Sequence, residues 1–123
     1  MTPARRRLPP ERQGRTKVIR LRHPGGLLRI YVQTGEHEDG TLAEVFLKGD
    51  RQGSTISGLL DALSVTTSVA LQHGVPLETI AEKWQRMQFE PSGTTDDKAM
   101  PRVSSIVDAV ARWLLARYGR KEA

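Results

Sequence analysis

The sequence contains no cysteine among its 123 residues. That absence excludes a disulfide framework, a thiolate zinc site and a cysteine nucleophile or radical in this chain. Aromatic residues are scarce, and no apolar run approaches the roughly 20 residues that a membrane-spanning helix needs. The basic N-terminus has no apolar stretch behind it, so it lacks the pattern of a secretory signal. We therefore expect a cytoplasmic protein with no membrane partner.

Composition and charge indicate an ordinary globular chain with an uneven charge distribution. Hydrophobic residues make up 37% and charged residues 27%, and the length fits one modest core. The formal net charge is +5, yet the first 30 residues contain nine basic residues and one acidic residue, Glu11. Such an excess implies a polyanionic partner or an acidic protein surface. For Arg5 to Arg7 alone, a solubilising tail is the alternative.

The apolar pattern predicts a basic flexible arm over residues 1–15, a single α+β domain over 16–119 and a short tail over 120–123. Strict alternation marks three strands, Lys17 to Arg22, Leu28 to Gln33 and Ala43 to Lys48. Turns rich in glycine separate them at residues 23–26 and 38–40. We expect an N-terminal three-stranded antiparallel meander.

Three helices follow the strands. The first, capped by Ser54 or Thr55, is expected to be the central and most buried helix. Its predicted apolar stripe consists of Ile56, Leu59, Leu60, Leu63, Thr67, Ala70 and Leu71. The second starts near Pro76, residues 94–100 are expected to form a polar loop, and the third helix runs from about Arg102 to Tyr118. This order predicts three helices packed on one sheet face.

Two short motifs each have two interpretations. The loop from Gly49 to Ser54 precedes a helix and superficially resembles a phosphate loop, but it lacks the Gly-Lys-Ser/Thr ending, which favours a plain turn. His37 stands among acidic residues that could hold a cation weakly, although a solvated turn is more typical of such a run. No credible Ser-His-Asp set is present. We therefore predict no catalytic residue, no metal ligand and no cofactor.

The outward face of the predicted sheet is the strongest candidate site. It combines basic residues with two aromatic residues, as do surfaces that hold phosphates and stack bases, although Glu44 interrupts it. The alternatives are an ordinary solvated face, or a face covered by a neighbouring domain or a second copy. The candidate nucleic-acid-binding residues, with those of the arm, are Arg5, Arg6, Arg7, Arg12, Arg15, Lys17, Arg20, Arg22, Arg29, Tyr31, Phe46 and Lys48.

Several segments, in the same order and at similar spacing, resemble the C-terminal part of adenosylcobalamin-dependent (class II) ribonucleotide reductases. They are Arg5-Arg6-Arg7-Leu8-Pro9, residues 34–42 (TGEHEDGTL), residues 71–78 (LQHGVPLE), Phe89-Glu90-Pro91-Ser92-Gly93 and Ser105-Ile106-Val107-Asp108. This region is similar to the TSCPD domain, which also occurs as a free-standing small protein.

The resemblance implies a fold more than an activity. In the family, the radical chemistry, substrate pocket and cobalamin site belong to a large barrel that precedes this region and has no counterpart here. The signature cysteine-containing motif of the domain is also absent. We expect a non-catalytic module that binds nucleic acid. The alternative is an accessory protein that docks on a ribonucleotide reductase or another large complex, and a homo-oligomer is compatible with both.

Overall fold

The computed structural model describes residues 4–50 and 54–120. In chain order its elements are β1 (Thr16–His23), β2 (Gly26–Glu36), β3 (Leu42–Gly49), α1 (Thr55–Gln72), α2 (Leu77–Trp84), β4 (Gly93–Thr95), β5 (Arg102–Val103) and α3 (Ile106–Tyr118). The predicted α+β class, with three N-terminal strands followed by three helices, is confirmed. Within the described residues, no helix is both long and apolar enough to cross a membrane.

The three N-terminal strands form as their alternation predicts. Ile19 and Leu21 on β1 and Leu28 and Ile30 on β2 are buried, whereas Arg20 and Arg29 between them are exposed. Glycine is required at the two turns, because Gly26 has φ +126° and Gly40 has φ +86°. Other residues rarely adopt such angles, so the glycines set where the chain reverses.

The sheet contains two further strands that the sequence did not reveal. Its strand order is β3-β2-β1-β4-β5, with β4 antiparallel to both β1 and β5. The segment that includes β4 was predicted to be a polar loop. Strands of three and two residues are too short to show an alternating pattern, so only pairing with β1 reveals them.

The described chain separates into two compact units. The first comprises the described residues up to Lys17 together with Tyr31–Pro76, and the second comprises Val18–Ile30 together with the described residues from Leu77 onwards. The sequence predicted one domain over 16–119, and that boundary stays a prediction. The last three residues of the predicted tail, like residues 1–3 of the arm, lie outside the described residues.

In the first unit, α1 lies along the free edge of β3. The backbone N–H groups of Leu47 and Val45 donate to the hydroxyls of Ser64 and Ser68, at 2.8 and 2.9 Å. Gln72 Nε2 donates to the Ala43 carbonyl at 3.1 Å. Four residues of a helix rise about 6 Å and two residues of a strand about 6.7 Å. Every fourth residue of α1 can therefore bond every second residue of β3 on this edge. The polar side chains therefore satisfy backbone groups that an edge strand would leave unpaired.

This contact rotates α1 away from its predicted orientation. The predicted apolar stripe is wrong in part, since Ile56 and Leu59 are exposed and Ser64, Ser68 and Gln72 are buried. The prediction that α1 is the most buried helix is also wrong. It buries six of its 18 residues, whereas α3 buries eight of its 13. Hydrogen bonding to β3 outweighs apolar periodicity as the cause of this orientation.

The other predicted helix boundaries are close to those observed. Ser54 caps α1 as expected, with its hydroxyl accepting from the Ser57 N–H at 3.0 Å. The start of α3 is later than predicted because Ser105 caps it, accepting from the Asp108 N–H at 3.1 Å. The loop between Gly49 and Ser54 lies largely outside the described residues, so the phosphate-loop interpretation stays a hypothesis.

Candidate functional site

The candidate residues on the three N-terminal strands occupy exposed positions, as the alternation predicts. They are Arg20, Arg22, Arg29, Tyr31, Phe46 and Lys48. The structure divides them between the two units. Arg20, Arg22 and Arg29 belong to the second, and Tyr31, Phe46 and Lys48 belong to the first. Whether they act as one platform stays a prediction.

In the second unit, strand pairing extends the basic positions onto the two unforeseen strands. Arg22 of β1 is the direct partner of Thr94 of β4, and Thr94 is the direct partner of Arg102 of β5. Directly paired residues project from the same face, and all three are exposed. With strands about 4.8 Å apart, the two arginine backbones are roughly 10 Å apart. We call Arg22, Thr94 and Arg102 the arginine row.

Two neighbouring features shape the arginine row. A Cβ at Gly93 would overlap the Arg22 carbonyl, so glycine is needed for β4 to approach β1 closely. Arg20 lies two residues along β1 from Arg22, and its guanidinium is 3.9 Å from the Asp96 carboxylate. Both groups of that pair are largely exposed, so their attraction is weak and screened by salt.

The basic arm lies against the first unit instead of projecting from it. The Arg15 carbonyl accepts from the Thr34 N–H, and the Gln13 carbonyl accepts from the Glu36 N–H, both at 2.9 Å. Farther along, the Arg6 N–H donates to the Gln72 carbonyl at 2.7 Å. A Cβ at Gly14 would overlap the Thr34 carbonyl, so the arm uses glycine where it passes closest to β2.

Several predicted phosphate contacts of the arm are engaged within the protein. Arg5 Nε donates to Gln72 Oε1 at 2.6 Å, and Arg6 forms an ion pair with Asp39 at 3.4 Å. Arg12 donates to both carboxylate oxygens of Glu44, at 2.6 and 3.1 Å. Two parallel bonds of this kind hold a guanidinium firmly. These three arginines therefore already have intramolecular partners that a phosphate would have to displace.

The other basic candidates lie close to the arm and the first strand. Arg7 is exposed, and Arg15 joins β2 through its backbone, because its N–H donates to the Thr34 hydroxyl at 2.9 Å. Lys17 is half-buried at the start of β1 and has an interaction partner there. These residues belong to the first unit, whereas the arginine row belongs to the second.

Glu44 is buried, although the sequence predicted an exposed side chain. The alternation placed it on the outer face with Phe46, where it would interrupt a basic surface. It is instead only 4% exposed, because Arg12 covers it. Gly35 leaves room for its carboxylate, since a Cβ there would meet the Glu44 side chain. The expected interruption is therefore an ion pair whose carboxylate is buried and whose guanidinium is partly exposed.

The turn around His37 is more ordered than the sequence predicted. The Asp39 carboxylate accepts from the Thr41 hydroxyl and N–H, which lowers the pKa of Asp39 to about 2. The expectation of a solvated turn is wrong for His37, which is 6% exposed. Burial, reinforced by the positive charge of Arg6, lowers the pKa of His37, whereas the charge of Asp39 opposes that shift.

Asp108 is a buried carboxylate that the sequence did not single out as a structural anchor. It accepts from the Arg86 N–H at 2.8 Å and from the Ser104 N–H at 3.0 Å. Arg86 has φ +65°, an angle that few residues other than glycine adopt, and this contact holds it there. The pattern Ser105-x-x-Asp108, typical of a helix start, is the signal that identifies this site.

A cleft of about 630 Å³ lies beside Asp108, lined by residues 88–90, Ser92, Gly93 and Arg102 to Ser104. Because Asp108 already accepts two backbone N–H groups, its carboxylate is a structural anchor. In residues 4–50 and 54–120, no three histidine or acidic side chains group in a way that could hold a metal ion.

Comparison with known proteins gives the family. The model of the TSCPD domain matches residues 3–118, nearly the whole chain. The chain belongs to the TSCPD domain family. It is also 45% identical, over 112 residues, to vitamin B12-dependent ribonucleotide reductases from Streptantibioticus cattleyicolor and Streptomyces clavuligerus, and 39% identical to that of Rhodopirellula baltica. The resemblance to the C-terminal region of these reductases is thereby confirmed.

The match covers most of this TSCPD domain but little of its relatives. It includes 91% of the chain but only 18%, 11% and 10% of the length of those three reductases. No solved structure matches the chain.

Four of the five sequence blocks on which the resemblance was recognised lie next to another such block within one unit of this TSCPD domain. In the first unit, block 5–9 contacts block 34–42 through the ion pair of Arg6 and Asp39. In the second, blocks 89–93 and 105–108 both contribute to the cleft beside Asp108. Their contacts join separate parts of the chain, so these blocks have a structural role whatever the domain binds.

Proposed function

We propose that this TSCPD domain is a non-catalytic module that binds single-stranded nucleic acid through the second unit, with the arginine row as its main phosphate contact. The observation that carries the proposal is the register of Arg22, Thr94 and Arg102 across three adjacent strands. Exposed guanidinium groups on one sheet face suit successive phosphates of a flexible strand. Arg29 is also exposed in the second unit and adds positive potential, whereas the charge of Arg20 is partly offset by Asp96.

This proposal changes which of the predicted residues are expected to contribute most to nucleic-acid binding. Arg5, Arg6 and Arg12 have intramolecular partners, so the arm contributes less than the sequence suggested. Arg102 joins the predicted set, because strand pairing aligns it with Arg22. Tyr31 and Phe46 remain exposed and able to stack bases, but the proposal does not depend on them.

The test is fluorescence anisotropy with a labelled oligothymidylate over a salt series, with duplex DNA and RNA in parallel. We expect binding that weakens steeply as salt rises. The double substitution Arg22→Ala and Arg102→Ala should lower affinity and reduce the salt slope by about 0.7 per lost phosphate contact. Arg117→Ala is the matched control, since it removes an exposed arginine from α3.

Two results would reject the assignment. If the wild-type domain does not bind at low salt, it is not a nucleic-acid-binding module. If Arg117→Ala weakens binding as much per charge as the double substitution does, net charge causes the binding and the arginine row has no special part.

A second candidate function is docking on a larger protein, such as a ribonucleotide reductase. The observation that favours it is the coverage, because the matching reductases carry this domain as a minor part of a long chain. We expect the domain to co-elute in size-exclusion chromatography with a B12-dependent reductase truncated before its own TSCPD region. The intact reductase is the control, and separate elution from the truncated form would contradict this function.

A further inference from the structure

A second cleft, in the first unit, lies between α1, the exposed side of β3 and the arm. Its volume is about 360 Å³. Its apolar lining includes Leu8 of the arm, Phe46 of β3, and Val65 and Val69 of α1. Phe46 is 51% exposed and Val65 is 65% exposed, so two large apolar side chains remain in water. Covering them would release a hydrophobic driving force.

The polar groups along this cleft are already satisfied. The Ser68 hydroxyl accepts from the Val45 N–H and donates to the Val45 carbonyl, at 2.9 and 3.2 Å. The Ser64 hydroxyl donates to the Leu60 carbonyl at 2.7 Å while accepting from β3. Gln72 is bonded at both ends, to Arg5 and to Ala43. An apolar ligand would therefore leave no buried polar group unpaired.

The net charge of the residues that line the cleft is positive. Arg5, Arg7 and Arg12 line it, and Glu44 is the acidic residue among its lining residues. Because Arg12 binds both carboxylate oxygens of Glu44, the charges of these two residues offset each other. The positive electrostatic potential of the cleft therefore comes from Arg5 and Arg7. Arg7 is exposed and Arg5 is bonded through Nε, which leaves its terminal nitrogens available for a carboxylate.

We propose that this cleft, called here the arm cleft, binds an extended peptide segment in which an apolar side chain is flanked by carboxylates. The apolar side chain contacts Phe46 and Val65, and the carboxylates pair with Arg7 and Arg5. An apolar lining with positive charge at its border fits such a segment better than a bare polyphosphate chain, which would leave Phe46 and Val65 uncovered. The inference rests on the docking function above and identifies its contact surface.

The test uses a fluorescein-labelled synthetic peptide with a leucine and a phenylalanine between two pairs of acidic residues. Two matched peptides replace either the apolar pair with serines or the acidic residues with lysines. We expect the first peptide to bind the wild-type domain at least tenfold more tightly than either of the others. Anisotropy at moderate salt measures all three.

Variants of the domain locate the binding site. Val65→Asp should weaken binding of the acidic peptide at least tenfold, and Thr66→Asp is its control, because Thr66 is the exposed next residue of the same helix. Arg7→Glu should weaken it similarly, with Lys98→Glu as the control for charge on an exposed loop. Circular dichroism checks that each variant is folded, and Arg7→Ala, a mild change in the arm, is a second variant at that position.

Several outcomes would overturn the arm cleft. Equal binding of all three peptides, or none, would reject the chemistry, and equal effects of Val65→Asp and Thr66→Asp would reject the location. If unlabelled oligothymidylate displaces the peptide from the wild-type domain, and Arg7→Glu weakens direct binding of labelled oligothymidylate as much as it weakens peptide binding, the cleft is a nucleic-acid site instead. If the peptide binds the arm cleft but the domain does not co-elute with the truncated reductase, the cleft is a peptide-binding site and the reductase is not its partner. Failure of the cleft proposal can thus be distinguished from failure of the docking function.

Discussion

At the residue scale, buried acidic groups of this protein hold the chain together. Glu44 binds the arm through Arg12, and Asp108 binds the backbone at residues 86 and 104. Removing one partner of such a contact leaves a buried charge or N–H group without compensation. Their burial is consistent with a structural role, whereas the exposed arginines Arg7, Arg22 and Arg102 are the ones proposed to contact a ligand.

The pKa of His37 makes stability depend on pH. In the unfolded chain its pKa is near 6.5, and folding lowers it through burial and Arg6, with Asp39 opposing. Below pH 6.5 the unfolded state therefore binds more protons, so acidification favours unfolding. The stabilisation is complete above pH 6.5 and is lost as the pH falls through the folded pKa.

We expect the urea midpoint of the wild-type domain to fall between pH 7.5 and 5.5, and to fall less in His37→Gln. Thr66→Ala, an exposed substitution that changes no titratable group, is the control, and it should retain the wild-type pH dependence. The pKa of about 2 of Asp39 and the lowered pKa of Glu78 act at more acidic pH, where protonation of these carboxylates removes their stabilisation. An unchanged pH dependence in His37→Gln would contradict the contribution of this histidine.

At the element scale, α1 shows how an edge strand can determine the orientation of a helix. The apolar period of the sequence predicted the helix and its cap correctly, and three of the predicted stripe residues, Leu60, Thr67 and Leu71, are buried. The rest of the buried face consists of side chains that bond β3. Apolar periodicity considers apolar residues alone, so it does not place serine and glutamine on a buried face. Their burial follows only from the position of the β3 edge, whose backbone groups they bond.

The same contact gives a stability prediction. Ser68→Ala should lower the free energy of unfolding by about 1–3 kcal/mol, because it leaves the Val45 N–H buried without an acceptor. Thr66→Ala, on the exposed side of α1, should change it by less than about 0.5 kcal/mol. Urea unfolding of both variants measures the difference. Equal values would mean that the edge contact contributes nothing beyond helix propensity.

At the scale of the whole molecule, the positive charge of the N-terminal residues is partly neutralised by folding. The sequence concentrates nine basic residues in the first 30, but the structure pairs Arg6 and Arg12 with acids that lie far along the chain. The remaining basic groups divide between two units, one with the arginine row and one with the arm cleft. These two surfaces suit different ligands, so the two proposed functions can be tested independently.

The sequence by itself determined the fold class, the strands of the meander, the two glycine turns and the family. These features depend on local backbone preference, on alternation along one strand and on motif order, all of which are readable along the chain. The absence of cysteine likewise excludes thiol chemistry in this chain, because composition alone decides whether a thiolate can form.

Only the tertiary structure determined which charged residues are available to a ligand. Arg102 aligns with Arg22 through β4, a strand of three residues, and Arg12 is engaged by Glu44, 32 residues away. The orientation of α1 likewise depends on the free edge of β3. Each of these outcomes results from pairing between segments distant in sequence, and a local pattern carries no information about that register.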